Sequence, residues 1–349
     1  MEEKGLTYAD TGVDIDAAEV FVAMIKDRVQ VAWPELAKEI GGFAGSGIIP
    51  KNVNRFGAST DGVGTKLKLA ALLDYYLGVG QDVVAMSAVD TYVNGEKPAY
   101  FLDYFATGKL DPEKHIEVIE SVIAGCKLAG CKLIGGESAE MQGFFKHDWF
   151  IDLVSFVIGF PEPSMRKRPI EVGQKVMGWF SHCPASNGFS LINKTFGLLD
   201  DDLDVVKGRL CQSYPSLGGQ ELWQALLAPT PIWINEIEKA RAEGTIFARH
   251  IHNTGGGLVD NPPRVLPDNF KMAIKKNSWQ RPPIFRLIQD KGNVPAHDMD
   301  RTFNNGIMVL SIVSDEGQPL VNENAVEIGR IEKRKGNEKK VEFIGEYVD

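Results

Sequence analysis

One acid, two glycines, three hydroxyls and a lysine fall within the eight residues Ser59-Thr60-Asp61-Gly62-Val63-Gly64-Thr65-Lys66. Glycine lets backbone N–H groups turn toward a bound anion without a Cβ in the way. Lysine adds a point charge, and a carboxylate can hold a divalent cation. Together these are the means to bind a metal–triphosphate complex. The stretch is neither the P-loop pattern G-x-x-x-x-G-K-[ST] nor the dinucleotide pattern G-x-G-x-x-G. Taken alone it also fits a polar turn between a strand and a helix. Two more acids stand in unusual settings. Asp90 lies inside an apolar segment with Val83, Val84, Met86, Val89 and Val93, where an unpaired carboxylate would cost several kcal/mol; an ion pair or a metal ion would answer that need. Glu137 follows Gly135-Gly136 after a short strand, in the same layout as the first stretch. Later in the chain, Ser186-Asn187-Gly188 leads into a helix and Thr254-Gly255-Gly256-Gly257 precedes a helical stretch. Each turn could offer backbone N–H groups to an anion or an amide.

The elements that carry these groups follow from periodicity and turn residues. A helix is expected from about Ile15, with Val20, Phe21, Met24, Ile25 and Val29 on one apolar face. Four glycines within Gly41–Gly47 make a loop, able either to close over phosphates or merely to connect. Gln81 to Val93 reads as a buried helix ended by Gly95 and Pro98. Tyr100 to Ala106 reads as a strand, Asp111-Pro112 starts a helix with a stripe of Ile116, Ile119, Val122, Ile123 and Cys126, and Lys132 to Ile134 is a short strand. A further strand is expected over Ile151 to Phe160, others from Val172 to Trp179 and near Ile251, and a last one over Ile307 to Val313. The segment from Pro161 to Pro169, with three prolines and the basic run Arg166-Lys167-Arg168, is the best linker. Domains are therefore expected over 1–165 and 170–349, in an α/β (α+β-like) pattern.

Composition narrows the partners. At 349 residues the chain exceeds a single hydrophobic core, so two domains are the default. A net charge of −9 argues against a general nucleic-acid or membrane-surface binder, and no apolar run is long enough to span a bilayer. The N-terminus shows no secretory pattern, and Cys126, Cys131, Cys183 and Cys211 make neither a disulfide framework nor a zinc site. A structural role in a reducing cytoplasm is expected for all four.

The order of these stretches resembles the aminoimidazole ribonucleotide synthetases, also called phosphoribosylformylglycinamidine cyclo-ligases, of purine biosynthesis. The residues that carry the resemblance are TYADTGVDIDA (7–17), GGFAG (41–45), STDGVGTKLKLA (59–70), FLDYFATGKLD (101–111), GCKLIGGESAEM (130–141), SNGFSL (186–191), HNTGGGL (252–258), PRVLPDN (263–269) and DRTFNNG (300–306). The resemblance covers nearly the whole chain. It implies a two-domain ATP-binding synthetase fold, with an N-terminal domain whose sheet pairs across a homodimer and a C-terminal α/β domain that completes the site. It implies ATP-dependent closure of formylglycinamidine ribonucleotide to aminoimidazole ribonucleotide, releasing ADP and phosphate. The amide oxygen would be phosphorylated and the amidine nitrogen would then attack the activated carbon.

By the same resemblance Asp61, Asp90 and Glu137 are the expected Mg²⁺ ligands, and Asp90 and Lys66 the catalytic pair. Asp61, Gly62, Gly64, Thr65, Lys66 and Glu137 would bind ATP; Ser186, Asn187, Gly188, Thr254, Gly255 and Gly256 would bind the small-molecule substrate. The chain departs from the family pattern at Val89 (Asn in the family), Tyr76-Leu77 (His-Asp), Ala185 (His), Pro231 (Arg) and Asn305 (Cys). The metal–phosphate half is thus better retained than the substrate half. Two other readings stay open on the sequence: a paralogue that phosphorylates a different amide or small acceptor, and a non-catalytic nucleotide-binding paralogue.

Overall fold

The computed structural model describes residues 15–36, 40–42 and 44–349. Within these the chain runs α1 (Ile15–Ala32), β1 (Gly57–Gly62), α2 (Lys66–Leu72), α3 (Val79–Asn94), β2 (Glu96–Thr107), α4 (Pro112–Ala129), β3 (Lys132–Glu140) and β4 (Ile151–Pro161). It continues with β5 (Lys175–Phe180), α5 (Phe189–Thr195), α6 (Leu203–Leu210), α7 (Leu222–Leu227), α8 (Ile234–Ala242) and β6 (Phe247–His252). The last elements are α9 (Gly257–Asp260), β7 (Phe270–Lys275), α10 (Pro283–Gly292), α11 (Ala296–Thr302), β8 (Ile307–Val313), β9 (Ala325–Lys333) and β10 (Val341–Ile344). Contacts group them into two units. The first holds the described residues up to Ala88 and Pro98–Phe160; the second holds Val89–Lys97 and everything from Pro161. The cut at Phe160/Pro161 falls at the start of the proline-rich segment, but the short piece Val89–Lys97, with Asp90, belongs to the second unit.

The first unit is a four-stranded sheet in the order β1-β4-β2-β3. β2 and β3 are parallel, which requires a crossover, and α4 supplies it. The helix begins where sequence says it should: Asp111 caps Lys114 N–H and Pro112 fills the first turn, and it ends on left-handed Gly130. Its apolar stripe is buried, and Phe105 of β2 packs on His115 of α4 and on Phe21 of α1. In α1 Phe21 and Val29 of the expected face are buried and Met24 and Ile25 part-buried, while Val20, at the edge of that face, is 53% exposed. Ser155 of β4 hydrogen-bonds Ser87 of α3, so helices cover the face that bears Phe105 and Ser155. The opposite face carries Val154, Phe156 and Ile158 of β4 and Tyr104 of β2 and is only partly buried: Phe156 is 42% and Tyr104 37% exposed.

Two expectations about this sheet need correction. Ser59 to Gly62 are in strand β1, paired to β4 from Gly57↔Gly159 to Gly62↔Val154, and only the residues after them turn. Likewise β3 does not end before its glycines but runs on to Glu140, with Gly136 paired to Asp103 of β2. The reason for glycine there is spatial: a Cβ at 136 would stand 2.1 Å from Asp103 Oδ1. Glycine makes room for a carboxylate on the next strand.

The second unit is a six-stranded sheet in the order β10-β7-β9-β5-β8-β6, antiparallel except for β10 beside β7. β8 is buried at every residue, as a run apolar at all positions but Ser311 demands. Around it pack Val176, Ile251, Met272, Ile274, Ile328 and Trp279. The fully buried Trp179 of β5 donates its indole N–H to Ser311 Oγ of β8 at 3.0 Å, so its one polar atom is satisfied.

Candidate active site

β5 and β6 both run antiparallel to β8, so their C-terminal ends meet the start of β8 at one edge of the second unit's sheet. Three loops collect there: 181–188, 253–256 and 303–306. Buried asparagines tie them together. Asn304 Nδ2 donates to Cys183 O at 2.9 Å, and Asn253 Nδ2 donates to Ile307 O at 2.7 Å and to Asn304 O at 3.2 Å. Gly188 is left-handed (φ +75°) and a Cβ on it would overlap the Phe303 ring. The two turns expected to hold substrate are neighbours: the Cβ position of Gly255 lies 3.6 Å from Asn187 Oδ1. Thr254 C=O accepts Gly257 N–H and Asn261 Nδ2, which fixes the glycine turn.

Several buried polar atoms at this edge have no protein partner: Ser186 Oγ, His252 Nε2, Asn253 Oδ1, Asn261 Oδ1 and Asn305 Oδ1. An unpaired buried donor or acceptor costs about 1–3 kcal/mol. Their concentration at one sheet edge marks a place built for a polar ligand.

Asp90 reaches the same edge from α3. Its Oδ1 lies 2.8 Å from His252 Nδ1; the histidine side chain is buried and the carboxylate is 45% exposed. Two residues along each element, the Tyr92 and His250 rings pack at a tilt with centroids 5.5 Å apart. Tyr92 donates to Glu238 at 2.6 Å, Arg241 bonds Glu238 at 3.0 Å, and Arg241 lies 3.2 Å from His250 Nε2. His250 Nδ1 meets Ser311 Oγ at 2.8 Å. Burial, with the Arg241 charge beside it, pushes His250 down to about 3, so it stays neutral and acts as a fixed strut. The elements that carry Asp90 and His252 are thus tied together two residues away by a paired network. His252 was not among the expected site residues. Its signal was present, since an imidazole stands two residues before the Thr254-Gly255 turn.

The first unit carries the other expected residues. Asp61 is exposed near the end of β1, and its Oδ1 accepts Gly62 N–H at 2.7 Å. Gly64 is left-handed (φ +72°) and, with Thr65, leads into α2. Glu137 is exposed on β3 and lines a cavity of about 520 Å³ with Gly41, Gly42, Gly45, Asp103 and Gly136. Burial pushes the Asp103 carboxyl up to about 7. Asp61 and Glu137 are on opposite edge strands, three strand spacings or roughly 14 Å apart, so within one chain they do not share an ion. Among the described residues no cluster of three or more His, Cys, Asp or Glu side chains is placed to hold a metal.

Lys66 is a correction. Its side chain is fully buried, and its ammonium pairs with Asp82 of α3 at 2.7 Å, itself fully buried. An ammonium held this way anchors α2 to α3 and is not presented to a phosphate.

Sequence comparison places these residues among known proteins. The AIR synthase related protein family matches with its N-terminal domain over residues 47–160 and its C-terminal domain over 171–342. A protein of Citrifermentans bemidjiense named phosphoribosylformylglycinamidine cyclo-ligase is 40% identical, over 99% of this chain and 100% of that one. A protein of Geotalea daltonii with the same name is 41% identical over the same shares. Among solved structures, E. coli HypE is 16% identical and covers 93% of each chain with a TM-score of 0.57. Thiamine-monophosphate kinase from Stenotrophomonas maltophilia is 15% identical with a TM-score of 0.58, over 93% of this chain and 96% of that one. These structures share the fold, with two sheets flanked by helices, and the sequence match assigns the rest: the chain belongs to the AIR synthase related family.

Proposed function

We propose that the chain closes formylglycinamidine ribonucleotide to aminoimidazole ribonucleotide at the expense of ATP, as a phosphoribosylformylglycinamidine cyclo-ligase of purine biosynthesis. The observation that carries this reading is the 40% identity to relatives of that name along the full length of both chains. An amide-type oxygen is a poor leaving group. ATP phosphorylates it, the amidine nitrogen attacks the carbon, the C–N bond forms and phosphate departs with its electron pair. Such a transfer depends on position and charge neutralisation. Asp90, fixed by His252 and half-open to solvent, is the acid best placed to act on the reacting groups. The turns at Ser186–Gly188 and Thr254–Gly256, with the unpaired polar atoms around them, suit a polar substrate rich in amide and hydroxyl groups.

Mg²⁺ commonly binds through one or two carboxylates plus phosphate oxygens and water. The exposed carboxylates Asp61 and Glu137 fit that use, although they do not form an all-protein cage. Bound there, the ion would neutralise charge on the nucleotide's phosphates. Because Asp61 and Glu137 lie on opposite edges of one sheet, a nucleotide site using both draws them from two copies of the chain. The partly exposed apolar face of that sheet, with Val154, Phe156, Ile158 and Tyr104, supports such a homodimer. A cytoplasmic setting fits the four cysteines, all of them free thiols. Among the described residues no helix is long and apolar enough to cross a membrane.

The test is incubation with ATP, Mg²⁺ and formylglycinamidine ribonucleotide, following ADP and aminoimidazole ribonucleotide together. Equal yields of the two are expected. Asp90→Asn should lower kcat by about 100-fold or more while the melting temperature holds. ADP release without the imidazole product, or only with a different amide acceptor, would overturn the reading.

A further inference from the structure

In this acidic chain many surface cations pair with a carboxylate, among them Lys114 with Asp74, Lys132 with Glu35 and Arg301 with Asp260. Others have no carboxylate partner among the described residues, and three of these, Lys167, Arg249 and Arg264, line one cavity of about 400 Å³ in the second unit. They come from separate parts of the chain: Lys167 from the segment between β4 and β5, Arg249 from β6, and Arg264 from the turn after α9. Arg249 uses one of its nitrogens on the backbone carbonyls of Arg168 and Ala248. Burial lowers its pKa from the ordinary guanidinium value with no acid nearby to restore it. The carboxylate that does line this cavity, Asp90, is occupied by His252. The same cavity is lined by His252 and Asn261, whose Nε2 and Oδ1 are buried and unpartnered. The cavity therefore combines three cations without a carboxylate partner and two unpartnered hydrogen-bonding atoms.

We infer that Lys167, Arg249 and Arg264 form a clasp for the phosphomonoester of the ribonucleotide substrate, with His252 and Asn261 meeting its uncharged polar part. This rests on the cyclo-ligase reading for the identity of the substrate, though the clasp itself is defined by charge. A phosphomonoester brings up to two negative charges and three acceptor oxygens, which three cationic donors complement. The segment around Lys167 then does more than connect two units, since it supplies one wall of the site. A nucleoside triphosphate could exploit the same charges, so the experiment separates the two sources of phosphate.

Steady-state kinetics of the full chain are measured for the double variant Lys167→Gln/Arg264→Gln, two exposed side chains whose loss leaves the fold intact. The substrates compared are formylglycinamidine ribonucleotide and its dephosphorylated nucleoside. The ratio of kcat/KM for nucleotide over nucleoside should fall about 10–100-fold, the usual range for lost charge-assisted contacts. KM for ATP should stay within about twofold. A rise in KM for ATP in place of the lost preference assigns the clasp to the triphosphate and overturns the inference. An unchanged ratio also overturns it. Should the parent protein show no cyclisation, the cyclo-ligase reading fails on its own, and the clasp is judged by calorimetric binding of ribose 5-phosphate. Binding by the parent that weakens at least tenfold in the variant supports it, and no binding or equal binding overturns it.

Discussion

Removing the ammonium of Lys66 separates an anchoring role from a phosphate-binding one. Lys66 Nζ and Asp82 Oδ2 are 2.7 Å apart and neither side chain is exposed. In Lys66→Met the Asp82 carboxylate is left in the interior without its cation, which costs about 3–5 kcal/mol. For a folding unit of this size each kcal/mol moves the melting temperature by about 2–4 °C, so a fall of roughly 6–20 °C is expected. The double variant Lys66→Met/Asp82→Leu removes the desolvation cost of both charges and should recover most of that loss. Scanning calorimetry of the parent and both variants, with ATP titrations on each, reads the two roles at once. A melting temperature unchanged in Lys66→Met, with affinity for ATP reduced tenfold or more, would refute the anchoring role and return Lys66 to the phosphates.

The remaining predictions concern a buried acid and a tight turn. Burial raises Asp103 from 3.8 to about 7, so between those values the folded chain keeps a proton that the unfolded chain has released. Stability therefore falls as pH rises through that window, by about 4 kcal/mol in all. Asp103→Asn should flatten the pH dependence of urea unfolding between pH 4 and 8 and be more stable than the parent at pH 8; an unaltered slope would mean that Asp103 is ionised and compensated. Gly188→Ala puts a methyl group against the buried Phe303 ring at φ +75°. It should cost about 2–4 kcal/mol in urea denaturation, and a loss below about 1 kcal/mol would show that Phe303 moves aside freely.

Local signals were legible where one element carried its own evidence. The Asp111 cap, Pro112 and an unbroken stripe bound α4, and six apolar residues in seven positions announce the buried strand β8. What could not be read depends on a neighbour distant in sequence. Gly135-Gly136 looks like a break because glycine favours one, and only the Asp103 carboxyl on the adjoining strand explains why a strand passes through it. Lys66 has the local composition of a phosphate ligand, and the acid that claims it lies in the next helix. Asp90 demanded a partner on sequence grounds, but the partner is His252, 162 positions along the chain. Three of the pattern departures share a physical trait: Tyr76, Val89 and Ala185 are buried and extend the core where the resemblance implies polar side chains, whereas Leu77 is 57% exposed.

Three aspartates in apolar surroundings show why only one of them makes a candidate for chemistry. The cost of burying a carboxylate can be met by a fixed cation, by keeping the proton, or by a partner combined with partial exposure. Asp82 takes the first route through Lys66, which closes it to any ligand. Asp103 takes the second, so near neutral pH its carboxyl is a poor anchor for a cation. Asp90 takes the third: one oxygen is held by His252, the side chain stays half-exposed, and His252 keeps a buried nitrogen unpaired. That arrangement is stable without substrate and still has hydrogen-bonding capacity to give. A carboxylate that must bind and release at every turnover needs both properties, and Asp90 is the one of the three that has them.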